Sequence, residues 1–167
     1  MAVNVEVKAR AADWAAQLKA GRALADSEER LVQKDTFFGI SNGRLKLREQ
    51  KGKGAYLVFY NRAGEKGPKP STYTLVPVKD AARTKRALTR LLGVTARVEK
   101  RRLVCHAGRT RIHFDEVKGL GRFMELEVVM KTGEAPSAGR REAAALMKAL
   151  GIRKKDLLAG AYADMLR

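Results

Sequence analysis

RIHFDEVKGLGRFMELEVV, residues 111–129, decides how this chain is read. Residues two apart on a β-strand point the same way, and here that spacing sorts charge from grease. Arg111, His113 and Asp115 share one face, while Ile112 and Phe114 share the other. Glu125 and Glu127 then oppose Leu126 and Val128 in the same manner. Residues 109–115 and 123–130 are therefore predicted strands, each with one ionic and one apolar side, and a slip of one residue would reverse both.

The same period recurs on either side of this stretch. In residues 3–10, Glu6 and Lys8 lie on one face with Val5 and Val7 on the other, and in residues 44–48 Arg44, Lys46 and Arg48 oppose Leu45 and Leu47. Lys100 and Arg102 repeat it within residues 95–104. Segments 31–38, 55–62 and 72–78 bring the count to about eight strands, a number that suits barrel closure. Ser41, Asn42 and Gly43 separate 31–38 from 44–48, and Asn-Gly is a strong hairpin signal, so those two strands are predicted antiparallel neighbours. Residues 12–24, 80–92, 137–150 and 156–166 are predicted helices, with Asp80, Ser137 and Asp156 as N-caps and Gly93 and Gly151 as stops. Stripes such as Trp14 with Leu18, and Leu146 with Met147 and Leu150, would cover a sheet from outside. GEKGPKP, residues 64–70, is predicted as a loop.

A length of 167 residues with 45% hydrophobic content supports a single domain over residues 1–167. Lys and Arg number 35 against 18 Asp and Glu, and the resulting +17 favours anionic, phosphate-bearing partners. The lone Cys105 excludes a disulfide framework and a cysteine-rich zinc site and suits a reducing compartment. No signal-like stretch follows Met1 and no apolar run approaches 18 residues, so a soluble cytoplasmic protein without membrane attachment is expected.

An open sheet with its charged face in water and a closed barrel with charges inside would both segregate residues in this way. Three cations along one short face, Arg44, Lys46 and Arg48, repel one another unless water or an anion compensates them. Glu125 and Glu127 stand about 7 Å apart along a strand, and with Asp115 or Glu6 they could hold a hard divalent cation. Carboxylates and many cations in one cavity make up the composition that a metal-triphosphate site needs.

Several stretches, NVEVKAR at 4–10, QKDTFFG at 33–39, NGRLKLRE at 42–49, EKRR at 99–102, the 111–129 run and LLAGAYADML at 157–166, together resemble the CYTH, or triphosphate tunnel, family in order along nearly the whole chain. The resemblance implies an α+β fold: a closed antiparallel eight-stranded β-barrel with a polar interior and helices outside. It also implies a polyphosphate bound in the tunnel with Mg²⁺ or Mn²⁺. The family's ExExK signature falls on Asn4, Glu6 and Lys8, so an uncharged amide replaces the first glutamate and puts a second metal position in doubt. Carried over, the metal ligands are Glu6, Glu125 and Glu127, with Asp115 next, and the phosphate ligands are Lys8, Arg44, Lys46, Arg48, Arg62, Lys100, Arg102 and Arg111. Lys8 would bind phosphate or assist the attacking oxygen as the catalytic group. QKDTFFG, GPK and DEVKGLG look most like class IV adenylyl cyclases, which convert ATP to cyclic AMP and pyrophosphate, and the alternative is a triphosphatase acting on tripolyphosphate, thiamine triphosphate or a nucleoside triphosphate.

Other residues read more plainly. Asp35, at a strand end, reads as solvated, His113 as a neutral hydrogen-bonded histidine, Cys105 as packing, and His106 as chemically idle. Tyr162 fits either a plug for one tunnel mouth or ordinary helix packing. A non-catalytic polyphosphate or RNA-binding module remains the other class. With 6% aromatic residues and no RNP-type stretch, nucleic acid is the less expected partner. Homodimerisation is compatible with the sequence, although no motif in it calls for a second copy.

Overall fold

A computed structural model describes residues 2–62 and 64–166, with the Arg62 side chain outside that description. The chain runs β1 (Ala2–Arg10), α1 (Trp14–Leu24), β2 (Ser27–Phe38), β3 (Arg44–Gln50), β4 (Gly54–Arg62), β5 (Lys69–Val78), α2 (Ala81–Leu92), β6 (Val94–Ala107), β7 (Thr110–Val117) and β8 (Gly121–Val129). It ends with α3 (Pro136–Ala149), a 3₁₀ turn (Lys154–Asp156), β9 (Leu157–Leu158) and α4 (Tyr162–Met165).

Strands β5-β4-β3-β2-β6-β7-β8-β1 lie side by side, every pair antiparallel, and β5 also pairs with β1. That last pairing closes the expected eight-stranded barrel. The β5 ladder on β1 stops at Glu6 opposite Lys69, and β9 takes over the same edge at Lys8 and Ala9. A two-residue strand thus satisfies backbone groups that the short β5 would leave open.

The apolar core lies outside the barrel wall, between strands and helices. Val5, Val7, Ile112, Phe114, Leu126 and Val128 project outward beneath α1 and α3, packed with Ala143 and Leu150. Phe114 is 1% exposed and meets Trp14 edge-on at 5.7 Å, a contact that anchors α1. A smaller cluster of Phe38, Leu47 and Ala55 seats α2 through Leu88. With grease consigned to the outside, the interior of the barrel is left to the ionic faces. No helix among the described residues is long and apolar enough to cross a membrane.

Asp80 caps α2 as expected, accepting from the Arg83 N–H at 2.9 Å, and Gly93 ends it with φ +71°. Three expectations are corrected. Helix α3 starts at Pro136 with Ala135 as its N-cap, because proline suits the first helical position, and Ser137 falls inside the first turn. Residues 156–166 are not one helix: the open β1 edge captures Leu157 and Leu158, and the Asp156 carboxylate pairs with Arg153 at 2.9 Å instead of capping. The 64–70 loop gives up its end to β5, whose first residue, Lys69, is buried.

Helix α3 approaches the barrel so closely that a Cβ on Gly139 would lie 2.7 Å from Val5 Cγ2 and 2.5 Å from Met130 Sδ. Gly139→Ala is therefore expected to overpack the seam and lower stability by about 1–3 kcal/mol despite alanine's better helix propensity. Urea denaturation monitored by circular dichroism reads the midpoint shift directly.

Candidate functional site

The barrel encloses a cavity of about 430 Å³. Ladder register composes its walls. On β1 and β8, Glu6 stands opposite Glu127 and Lys8 opposite Glu125; on β7 and β8, Arg111 stands opposite Glu127 and His113 opposite Glu125. Two adjacent rows across three strands thus read Glu6, Glu127, Arg111 and Lys8, Glu125, His113. Donor atoms of His113, Glu125 and Glu127 come within 4.8 Å of one another.

Ion pairs keep this wall charged. Lys8 Nζ lies 2.7 Å from Glu125 Oε1, Arg102 Nη2 donates to Glu125 Oε2 at 2.5 Å, and Arg111 Nε donates to Glu127 Oε2 at 2.9 Å. Burial alone would raise the Glu125 carboxyl, but Lys8, Arg102 and the His113 hydrogen bond together hold it well below the usual range. Glu127 is likewise held low, with His113, Arg111 and Arg102 outweighing burial. Asn4, in the amide orientation that satisfies both its neighbours, accepts from Arg111 Nη2 at 3.2 Å. The signature position without a carboxylate thus steadies a cation.

The opposite wall converges on Asp35. Arg48 donates to it through Nε at 2.8 Å and Nη2 at 2.7 Å, Lys46 Nζ at 2.9 Å and Lys100 Nζ at 3.3 Å. Burial opposes its ionisation, yet Arg48, Lys100 and Lys46 hold the Asp35 carboxyl well below the ordinary value. Burial and the Arg48 charge depress Lys46 to about 7, against the pull of Asp35. Lys100 is lowered to about 8, chiefly by burial, with Asp35 opposing the shift and Arg48 and Arg102 adding to it.

One mouth is filled by α4. Tyr162 packs with Phe37, Val98, Val117 and Phe123, its ring lies 3.6 Å from Lys8 Nζ, and its hydroxyl donates to Asp115 at 2.7 Å. Both sequence readings of Tyr162 hold, since it packs in an apolar cluster and also lines the cavity. Away from α4 the wall turns partly apolar, through Leu31, Tyr56 and the half-exposed Leu75.

Of the residues expected to bind phosphate, Lys8, Lys46, Arg48, Lys100, Arg102 and Arg111 line the cavity. Arg44 does not: both its terminal nitrogens hold Asp164 of α4, at 2.9 and 2.7 Å, because β3 carries it past the cavity to the plugged mouth. Arg62's side chain lies outside the described residues. Glu6, Glu125 and Glu127 line the cavity, but Asp115 is 0% exposed behind it, its oxygens taken by Arg102 at 2.6 Å and by Tyr162. Two residues were missed. Asp35 is no solvated strand end but the hub of the cationic wall, and its two-residue spacing from Phe37 and Gln33, with the hairpin that sets it opposite Arg48, was the available signal. Lys69, buried at the start of β5 opposite Glu6, does not line the cavity and donates to the Ala159 carbonyl at 2.8 Å, joining β5 to the segment before α4.

A closed antiparallel tunnel with one acidic and one cationic wall defines the class of protein. The chain belongs to the CYTH domain family, which it matches over residues 2–162. Among solved structures, a Pyrococcus horikoshii protein superposes with a TM-score of 0.86 at 21% identity, covering 96% of this chain and 98% of that one. A candidate adenylate cyclase from Vibrio parahaemolyticus gives 0.78 at 19% identity, over 98% and 97% of the two chains. A Hippeastrum adenylyl cyclase candidate with a dominant triphosphatase activity gives 0.63 at 12%, over 96% and 91%. No curated protein matches the sequence.

Proposed function

We propose that the protein is a divalent-metal-dependent enzyme that binds the triphosphate of an organic substrate in its tunnel and acts as a class IV adenylyl cyclase, turning ATP into cyclic AMP and pyrophosphate. The observation that carries this reading is the facing of the carboxylate wall by the cations gathered on Asp35 across one cavity. The donor chemistry fits a hard ion: the oxygens of Glu125 and Glu127 cluster with a His113 nitrogen, and Glu6 stands beside them in register. Glu6, Glu125, Glu127 and His113 would hold Mg²⁺ or Mn²⁺ there, and the ion would supply neutralisation of the negative charge on the phosphate chain.

The residues divide the remaining work. Lys46, Arg48, Lys100, Arg102 and Arg111 bind phosphate oxygens and hold the chain in line. Asp35 uses two of the five Arg48 donors, leaving the others for substrate. Lys8, paired with Glu125 beside the Tyr162 ring, holds the attacking oxygen by hydrogen bond in this reading. Asp115 positions Arg102. Leu31, Tyr56 and Leu75 give the open end a surface for an organic group, which inorganic tripolyphosphate would not use.

The second reading is hydrolysis, in which water attacks the terminal phosphorus; the dominant triphosphatase activity of the Hippeastrum protein favours it. Purified protein incubated separately with ATP, thiamine triphosphate and tripolyphosphate, with Mg²⁺, Mn²⁺ or a chelator, decides the matter by product chromatography. Cyclic AMP with pyrophosphate, lost on chelation, is the expected result. Metal-dependent orthophosphate would assign the second reading, and no turnover of any of the three would overturn both.

A further inference from the structure

The tunnel does not account for the charge of this protein. Among the described residues seven cations line the cavity, Lys53 besides the six above, and face five carboxylates, Glu6, Glu29, Asp35, Glu125 and Glu127, so the lining holds a surplus of only two positive charges. Most of the formal +17 therefore lies elsewhere on the chain. Some exposed cations on the barrel wall are paired, as Arg101 and Arg122 are with Glu116, and Lys118 with Glu99, and others, such as Arg30, Lys34 and Arg97, stand on strands that also carry acids.

Helix α2 is different. Lys85 turns toward the barrel to meet Glu49 at 2.5 Å, and Asp80 is occupied as the N-cap. Arg83, Arg86 and Arg90 are exposed and make no ion pair among the described residues, and α2 contains no acid to offset them. A step of about 100° per residue sets all three within about 60° of one another, opposite the Leu88 side that packs on the barrel. They form a straight ridge about 10 Å long at about 1.5 Å per residue. Unpaired guanidinium groups in a row, presented away from the core, complement a row of phosphates.

We infer that this α2 ridge is a docking surface for the phosphodiester backbone of a nucleic acid, bound without base readout. A bilayer is the less fitting partner. Leu91, 78% exposed, lies about 100° around the helix from the arginines, so no apolar side chain would enter a membrane where the cations meet it. The surface is independent of the tunnel chemistry, since neither Arg83, Arg86 nor Arg90 lines the cavity.

The test is fluorescence anisotropy of a labelled 20-nucleotide single strand of mixed sequence, titrated with the full chain over a series of salt concentrations. Binding at low salt should weaken as salt rises, and the triple variant Arg83→Gln/Arg86→Gln/Arg90→Gln should bind at least about tenfold more weakly. Its log–log salt slope should be shallower by about 2, at about 0.7 for each phosphate of a single strand that the variant no longer neutralises. Melting temperature and triphosphate turnover should be unchanged in the variant, and saturating tripolyphosphate at matched ionic strength should leave binding intact. Absence of binding at low salt, undiminished binding in the triple variant, or displacement by tripolyphosphate would each overturn the inference. So would a variant that loses binding to phosphatidylserine vesicles while keeping its affinity for the strand.

Discussion

Glu127→Gln should abolish most metal-dependent turnover, with a loss in Mn²⁺ affinity of more than about a hundredfold, and should leave the barrel folded. Changing even the outer partners of a metal ligand costs about 10–100-fold in affinity, and Glu127 belongs to the donor cluster itself. The amide keeps an oxygen for Arg111, which sits 2.9 Å away and a third exposed, so the remaining cation is still solvated and hydrogen-bonded. Isothermal titration with Mn²⁺ reads binding apart from catalysis, and turnover against metal concentration shows whether excess ion restores rate. Glu125→Gln should lose as much metal affinity and also some stability, because Glu125 answers both Lys8 and Arg102 in a more enclosed place. Unaltered Mn²⁺ binding in both variants would remove these carboxylates from the metal site.

What the sequence made legible follows from the range of each signal. Alternation is local, so the ionic faces of 3–10, 44–48 and 111–129 could be read one strand at a time, and all of them point into the barrel as the closed reading required. Depth is not local. Arg44, Lys46 and Arg48 are equivalent in pattern, yet only the tilt of β3 and the arrival of α4 decide that Arg44 meets Asp164 while its neighbours reach Asp35. Asp115 shares a face with His113, but whether it opens on the cavity depends on Tyr162, 47 residues away. The 156–166 misreading has the same origin: LLAGAYADML carries a helical pattern, and what breaks it is the free edge of β1, at the other end of the chain. Asp35 was undervalued because its partners are assembled by two ladders, β2 with β3 and β2 with β6.

Asp35→Asn should then weaken substrate binding far more than it slows the bound complex. Three cations converge on this carboxylate, and with its charge gone Lys46, Arg48 and Lys100 face one another with little to compensate them. In the unliganded protein Lys46, near 7, and Lys100, near 8, lose their protons as pH climbs from neutrality to about 9, so wild-type KM should rise over that interval. Asp35 raises both values. Its removal should move the rise in KM to lower pH, while kcat at saturating substrate changes little because the carboxylate wall is untouched. Stability falls too, on the order of 3 kcal/mol for a broken buried pair. The Asp35 carboxyl titrates well below its ordinary value near 4, so the stability it lends is present above that value and disappears as pH falls through the folded one. The deficit of the variant should therefore shrink in acid. Because stabilisation by a ligand scales with its affinity for the folded protein, tripolyphosphate at a fixed concentration above neutral pH should raise the melting temperature of Asp35→Asn by less than that of the wild type. A KM profile that keeps its wild-type position on the pH axis would mean that Asp35 does not set the charge of the phosphate-binding wall.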